Sequence, residues 1–218
     1  MSYNIAIAGP AGAGKSTIAK RVSAELSFIY VDTGAMYRAI ALYLLKNAIQ
    51  PEDLDSVKHA LGEIEIAIRY VDGEQHVLLN GEDVSGQIRT EEVGNMASKS
   101  SALPCVRGKL LELQQKLARE HDVVMDGRDI GTNILPDAQL KIYLTASVDT
   151  RANRRYKELL EKGTDCDLEE IKKDIEQRDY QDMHREIAPL RQAADAVYLD
   201  SSDLTIDQVV EKIKSLAK

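Results

Sequence analysis

The sequence predicts an α/β protein: a doubly wound, five-stranded parallel sheet with a small β-rich insertion and a helical lid. Three observations predict it. Short apolar runs of strand length alternate with longer stretches of helical periodicity. The first run, Tyr3 to Ala8, leads directly into Gly9-Pro10-Ala11-Gly12-Ala13-Gly14-Lys15-Ser16-Thr17, after which Ile18, Val22 and Leu26 lie on one side of a helix. From about Pro51 to Arg89 that rhythm breaks into a block with its own turn signals.

The glycine stretch has P-loop spacing: Gly9, four residues, then Gly14-Lys15-Ser16. Its residue types follow from its chemistry. Glycines let successive backbone N–H groups turn toward one point and form an anion nest. The following helix aims its unsatisfied N–H groups and positive dipole end at the same point. Lys15 adds a point charge for the outer phosphates, and the Ser16 hydroxyl is a candidate ligand for Mg²⁺. Gly9, Pro10, Ala11, Gly12, Ala13, Gly14, Lys15, Ser16 and Thr17 are therefore expected to hold a donor nucleotide.

Further along, Ser27 to Asp32 reads as a second buried strand, and Asp32-Thr33-Gly34-Ala35-Met36-Tyr37-Arg38 turns into a largely apolar helix. Within 51–89, Leu54 to Leu61 suggests a short helix. Glu63 to Arg69 alternates as a half-buried antiparallel strand does. Asp72-Gly73 marks a hairpin, Val77 to Leu79 the return strand, Asn80-Gly81 a second turn, and Glu82 to Val84 a short third strand. Thr90 to Ser101 and Cys105 to Arg119 read as helices, the second amphipathic through Val106, Leu110, Leu113 and Leu117. His121 to Asp126, Gln139 to Leu144 and Val197 to Asp200 read as the remaining parallel strands. Asp149 to Lys162 and Asp167 to Gln181 read as charged helices, and Thr205 to Gln208 as a capping box opening the last helix. The chain is expected to be one unit, 1–218: core 1–50 and 90–218, insertion 51–89, lid region 151–191.

Composition narrows the classes. At 218 residues, 44% hydrophobic and 29% charged, the chain resembles a globular protein. Its net charge of −8 makes it a poor candidate for wrapping nucleic acid or lying on anionic lipid. Two cysteines, Cys105 and Cys166, have no metal-type spacing, and the four histidines are scattered. No apolar run approaches a membrane span, and the first strand leaves no room for a signal peptide. A cytoplasmic location and a monomer are expected.

Ligands in doubly wound sheets gather at the carboxyl ends of the strands, here Gly9, Asp32 and Asp126. Either carboxylate is placed to support Mg²⁺ or its waters. In Asp126-Gly127-Arg128-Asp129, Arg128 suits a bidentate phosphate contact and Asp129 suits an amino group. Arg151, Arg154, Arg155, Arg178, Arg185 and Arg191 gather in two charged helical segments. Most such runs are solvated faces, but arginine is what a closing phosphate clamp uses. A basic lid would keep water from a reactive phosphoryl group.

These stretches together resemble the bacterial cytidylate kinases, within the nucleoside-monophosphate kinases. The resemblance runs through Gly9 to Thr17, Asp32 to Arg38, Leu79 to Thr90, Met125 to Gly131, Arg151 to Tyr156 and Arg178 to Ala194. It implies that ATP, with Mg²⁺, is the donor and CMP or dCMP the acceptor. The resemblance puts Asp32, Thr33, Arg38, Asp126 and Arg128 on the acceptor side. It assigns Ser98, Arg107 and Asp129 to the cytosine, and Arg178, Asp182 and Arg185 to sugar and phosphates. Arg154 joins the donor side. Lys15, Arg128 and Arg185 become the catalytic candidates. Threonine at position 33 replaces the family's frequent serine and keeps the hydroxyl. Gln181 stands where the family often has a basic residue. A kinase for another small acceptor is the nearest rival. A regulatory GTPase would need an Asn-Lys-x-Asp guanine signature, which the chain lacks.

Overall fold

The computed structural model describes residues 2–161 and 163–217. β1 (Asn4–Ala8) runs through the glycine loop into α1 (Lys15–Leu26), and β2 (Ile29–Asp32) passes directly into α2 (Thr33–Lys46). The insertion contributes α3 (Leu54–Glu63), β3 (Ile66–Val71), β4 (Glu74–Leu79) and β5 (Glu82–Asp83). The chain then forms α4 (Glu91–Ser100), α5 (Pro104–Glu120), β6 (Val123–Gly127), a π-helical turn (Ile130–Ile134) and β7 (Leu140–Thr145). α6 (Val148–Glu161), α7 (Leu168–His184), β8 (Val197–Asp200) and α8 (Ile206–Leu216) complete it.

As expected, five strands form a parallel sheet, in the order β2-β6-β1-β7-β8. Ile5 and Ile7 turn to one face, with Ile18, Val22, Ile142, Leu144, Val209 and Ile213. Ala6 turns to the other, with Val31, Met36, Ile40, Met125 and Val106. Ile5, Ala6 and Ile7 are all fully buried, so β1 reads as a continuous apolar run and not an alternating one. Parallel register sets Ala8 opposite Gly127 and Asp32 opposite Asp126, bringing three strand ends to one edge.

The insertion is a three-stranded antiparallel sheet, β3-β4-β5. Asp72-Gly73 and Asn80-Gly81 all have positive φ (52°, 80°, 50° and 85°), as two-residue hairpin turns of the primed type require. Its first strand differs from the expectation. It begins at Ile66, not Glu63, because α3 extends through Glu63 and uses Ile64, 2% exposed, as an apolar anchor at its end. Alternation alone does not separate a strand from the last turn of an amphipathic helix. The return strand likewise reaches back to Glu74.

The insertion docks on the outer edge of β2 through side chains. Gln75 Oε1 accepts from the Asp32 N–H at 2.8 Å, and Gln75 Nε2 donates to the Asp32 carbonyl at 3.2 Å. Tyr70 donates its hydroxyl to the Tyr30 carbonyl at 2.9 Å. Elsewhere α6 and α7 pack around a small cluster of their own, Ala152, Ile171 and Ile175 with Val148, Tyr156 and Leu159. The expected last residue of α6, Lys162, lies outside the described residues. The capping box forms as read: Thr205 and Gln208 each bond the other's backbone N–H, at 3.2 and 2.9 Å.

Ile7 is fully buried at the centre of the sheet. Ile7→Ala should cost about 2–5 kcal/mol through lost burial and a residual cavity. A urea melt should show a lower midpoint with an unchanged slope.

Candidate functional site

The loop Gly9 to Thr17 leaves β1 under tight constraint. A Cβ at Gly9 would lie 1.9 Å from the Leu144 carbonyl oxygen, so only glycine fits. Gly14, with φ 83°, caps α1 without any side-chain hydrogen bond, and the first turn of α1 holds no acidic residue. The helix N-terminus therefore keeps its N–H groups and its positive field for an anion. Lys15 is 6% exposed and donates to the Pro10 carbonyl at 2.7 Å. Burial, then Arg128, push its pKa well below the usual lysine value.

Asp126, at the end of β6, faces this loop. Ser16 donates to its Oδ2 at 3.0 Å and Tyr30 to its Oδ1 at 2.9 Å. Burial, then Asp32, push the Asp126 carboxyl up to about 6. Thr33 donates its hydroxyl to the Asp126 carbonyl at 2.7 Å.

Beyond it lies a concentration of arginines. Arg128 donates from Nε to Asp182 Oδ2 at 2.7 Å. Burial opposes the Asp182 carboxylate, but Arg128, Arg185 and Arg178 hold its pKa below the usual range. Arg38 and Arg178 both have lowered pKa values, first through burial and then through neighbouring arginines, Arg89 and Arg128 for Arg38 and Arg128 and Arg38 for Arg178. Arg178 Nε is buried without a hydrogen-bond partner among the described residues. Lys15, Arg38, Arg128 and Arg178 thus form one electropositive neighbourhood, partly offset by Asp126 and Asp182.

A second group is continuous with the first. Arg107 and Asp129 form a buried ion pair, and the Arg107 guanidinium lies over the Tyr37 ring at 5.5 Å. Asn133 Nδ2 donates to Asp129 Oδ2 at 3.1 Å, turned back by the π-helical turn. Arg185 bridges Asp129 at 3.5 Å and Asp182 at 3.9 Å. The chain Arg107–Asp129–Arg185–Asp182–Arg128 joins the two groups.

The structure thus gathers Lys15, Ser16, Thr33, Arg38, Arg107, Asp126, Arg128, Asp129, Arg178, Asp182 and Arg185. Others stand differently. Asp32 spends its carboxylate on the Ala35 N–H at 2.9 Å, as the N-cap of α2, and on Arg89 at 3.0 Å. Ser98 is half-buried on α4; its carbonyl accepts from Ser101, whose own carbonyl accepts from Arg107. Arg154 binds the Ser201 carbonyl at 2.8 Å, with a nitrogen 4.0 Å from where a Cβ on Gly14 would be. Gln181 is exposed. Sequence reasoning missed Tyr30, Gln75, Arg89 and Asn133. None carries a local signal, except that Asn133 lies four residues after Asp129.

This edge, with a P-loop, an arginine cluster opposite it and the 2-6-1-7-8 strand order, defines a P-loop kinase. The chain belongs to the cytidylate kinase family, whose model matches residues 5–218. It is 51% identical over 212 residues to a cytidylate kinase of Lactobacillus gasseri, covering 97% of this chain and 92% of the other. It is also 51% identical over 218 residues to one of Streptococcus pneumoniae, covering 100% and 98%. Among solved structures, an uncharacterized protein from Eubacterium ventriosum shares the fold, with a TM-score of 0.51, 13% identity and 98% and 97% coverage.

Asp126 makes stability depend on pH. Its folded carboxyl keeps a proton up to about pH 6, whereas the usual value is 3.8. Between these values the folded state holds the extra proton, so stability falls as pH rises through that window. Asp126→Asn, neutral throughout, should exceed the wild type in urea midpoint above pH 6 and lose that advantage below pH 4.

Proposed function

We propose that the protein transfers the γ-phosphoryl group of ATP reversibly to CMP or dCMP. The observation that carries this reading is the pairing of two cationic phosphate sites on one strand edge. One is the P-loop with Lys15. The other is Arg38, Arg128 and Arg178, half-buried cations whose charge a second phosphate would offset; besides burial, Arg128 lowers the pKa of both Arg38 and Arg178. A hydrolase needs the first site; a transferase to a phosphorylated acceptor needs both.

In the transfer, the bond from the γ-phosphorus to its bridging oxygen breaks as an acceptor phosphate oxygen bonds to that phosphorus. The acceptor oxygen is already ionised, so no general base is required. Positioning and charge neutralisation carry the rate. Lys15 leaves the Pro10 carbonyl to follow the migrating charge. Arg38 and Arg128 hold the acceptor in line, and Arg178 and Arg185 close from α7 in the manner of a lid. Arg154, beside Gly14 and Ser201, serves the donor. The Ser16 hydroxyl, an exposed hard oxygen beside Asp126, fits Mg²⁺, which takes few protein ligands and completes its shell with phosphate and water. Mg²⁺, when bound, supplies charge neutralisation to the donor phosphates.

Asp129, flanked by Arg107, Arg185 and Asn133, is fitted to accept a hydrogen bond, as the cytosine amino group requires. Uracil presents an acceptor there and would meet a carboxylate. Arg107 then serves the ring's acceptors, and Ser98 reaches the base from α4. Asp182 accepts from a sugar hydroxyl. No helix among the described residues is long and apolar enough to cross a membrane. A cytoplasmic monomer remains our proposal, to be checked by fractionation and light scattering.

A coupled assay with ATP against CMP, dCMP, UMP and AMP tests the reading. Turnover favouring CMP and dCMP is expected; preference for UMP or AMP overturns it. Lys15→Met should lower kcat by about 10²–10³ with the fold intact by circular dichroism. Arg107→Ala and Asp129→Ala should chiefly raise the CMP KM, leaving the ATP KM close to wild type.

A further inference from the structure

Arg151 is 4% exposed, and its guanidinium bonds protein groups in three directions. Nε donates to the Ala146 carbonyl at 2.9 Å, just past β7. Nη1 donates to the Ala11 carbonyl, within the P-loop, at 2.9 Å. Nη2 pairs with Asp179 Oδ2, on α7, at 2.6 Å. A Cβ on Gly12 would lie 3.4 Å from the Arg151 Cβ, so the loop is packed against this side chain as well as bonded to it. Asp179 is 8% exposed, and its Oδ1 has no hydrogen-bond partner among the described residues. α7 also carries Arg178 and Asp182, with Arg185 at its C-cap.

We infer that Arg151 is a positioning residue that couples the donor loop to the acceptor-closing helix. The inference rests on the substrate reading above. When donor phosphates fix the P-loop, the Ala11 carbonyl is fixed with it. The rigid guanidinium fork transmits that position to Asp179, and so biases α7 toward the arrangement in which Arg178, Asp182 and Arg185 meet the acceptor. Arg151 touches neither nucleotide. Its contribution is a coupling free energy between two sites, and linkage makes it reciprocal: CMP tightens donor binding by the factor by which donor tightens CMP.

Calorimetric titrations test this. CMP is titrated into the protein alone and into the protein saturated with Mg²⁺ and a non-hydrolysable ATP analogue. The wild type should bind CMP about 5–150-fold more tightly in the second case. Asp179→Asn should keep each single-nucleotide affinity near wild type and bring that ratio close to one. Because it leaves the Arg151 charge buried and unmatched, a second variant, Arg151→Met with Asp179→Leu, removes the pair together and should give the same ratio. A wild-type ratio of one, or a ratio preserved in both variants, overturns the inference. So does joint loss of single-nucleotide binding and ratio in folded variants, which marks a structural role alone. A wild type that binds the ATP analogue but no CMP in either titration overturns the substrate reading instead.

Discussion

The parallel register between β1 and β6 is the constraint on which the remaining structure depends. It sets Ala8 beside Gly127 and Ile7 beside Asp126. The glycine loop that follows β1 and the Asp126-to-Asp129 turn that ends β6 must then share one edge. A one-residue slip would send Asp126 to the neighbouring position and reverse which face each side chain of β6 meets. The apolar faces of Ile5 and Ile7 on one side, and of Met125 on the other, forbid that slip. Chemistry at the edge is positioned by packing in the middle of the sheet.

Burial gives the charges there their character. Lys15, Arg38 and Arg178 all have pKa values lowered first by burial, and Asp126 has one raised by it. Burial thus disfavours the charged form of each group, and a polyanion would offset that cost for the three cations. Arg107, Asp129, Arg185, Asp182 and Arg128 alternate in sign, so each charge of this ladder already has an opposite neighbour. The P-loop side is short of negative charge and the base side is not.

The sheet, the P-loop and both hairpin turns were legible because each is written in contiguous residues. Apolar runs record burial on both faces, and Asp-Gly or Asn-Gly records a left-handed backbone. The gathering of Arg128, Arg178, Asp182 and Arg185 was readable only through the resemblance, since nothing local brings 128 to 178. What escaped was set by distant partners. Asp32 ends a strand exactly as Asp126 does in sequence pattern, yet its carboxylate caps a helix and pairs with Arg89, 57 positions on. Arg151 and Arg154 lie one helical turn apart; one is sealed between the P-loop and Asp179, and the other reaches the Ser201 carbonyl. The π-helical turn that brings Asn133 back to Asp129 has no period that a sequence reveals.

The docking of the insertion has a consequence for the chain in a crowded solution. β2 is an outer strand, and Tyr30 and Asp32 point their backbone groups away from the sheet. An open row of this kind invites a strand from another molecule. The Gln75 amide takes both backbone groups of Asp32, and the Tyr70 hydroxyl takes the Tyr30 carbonyl. The insertion thereby ends the sheet with side chains, so no further strand is recruited on that side. The insertion in this way guards the protein against edge-to-edge aggregation.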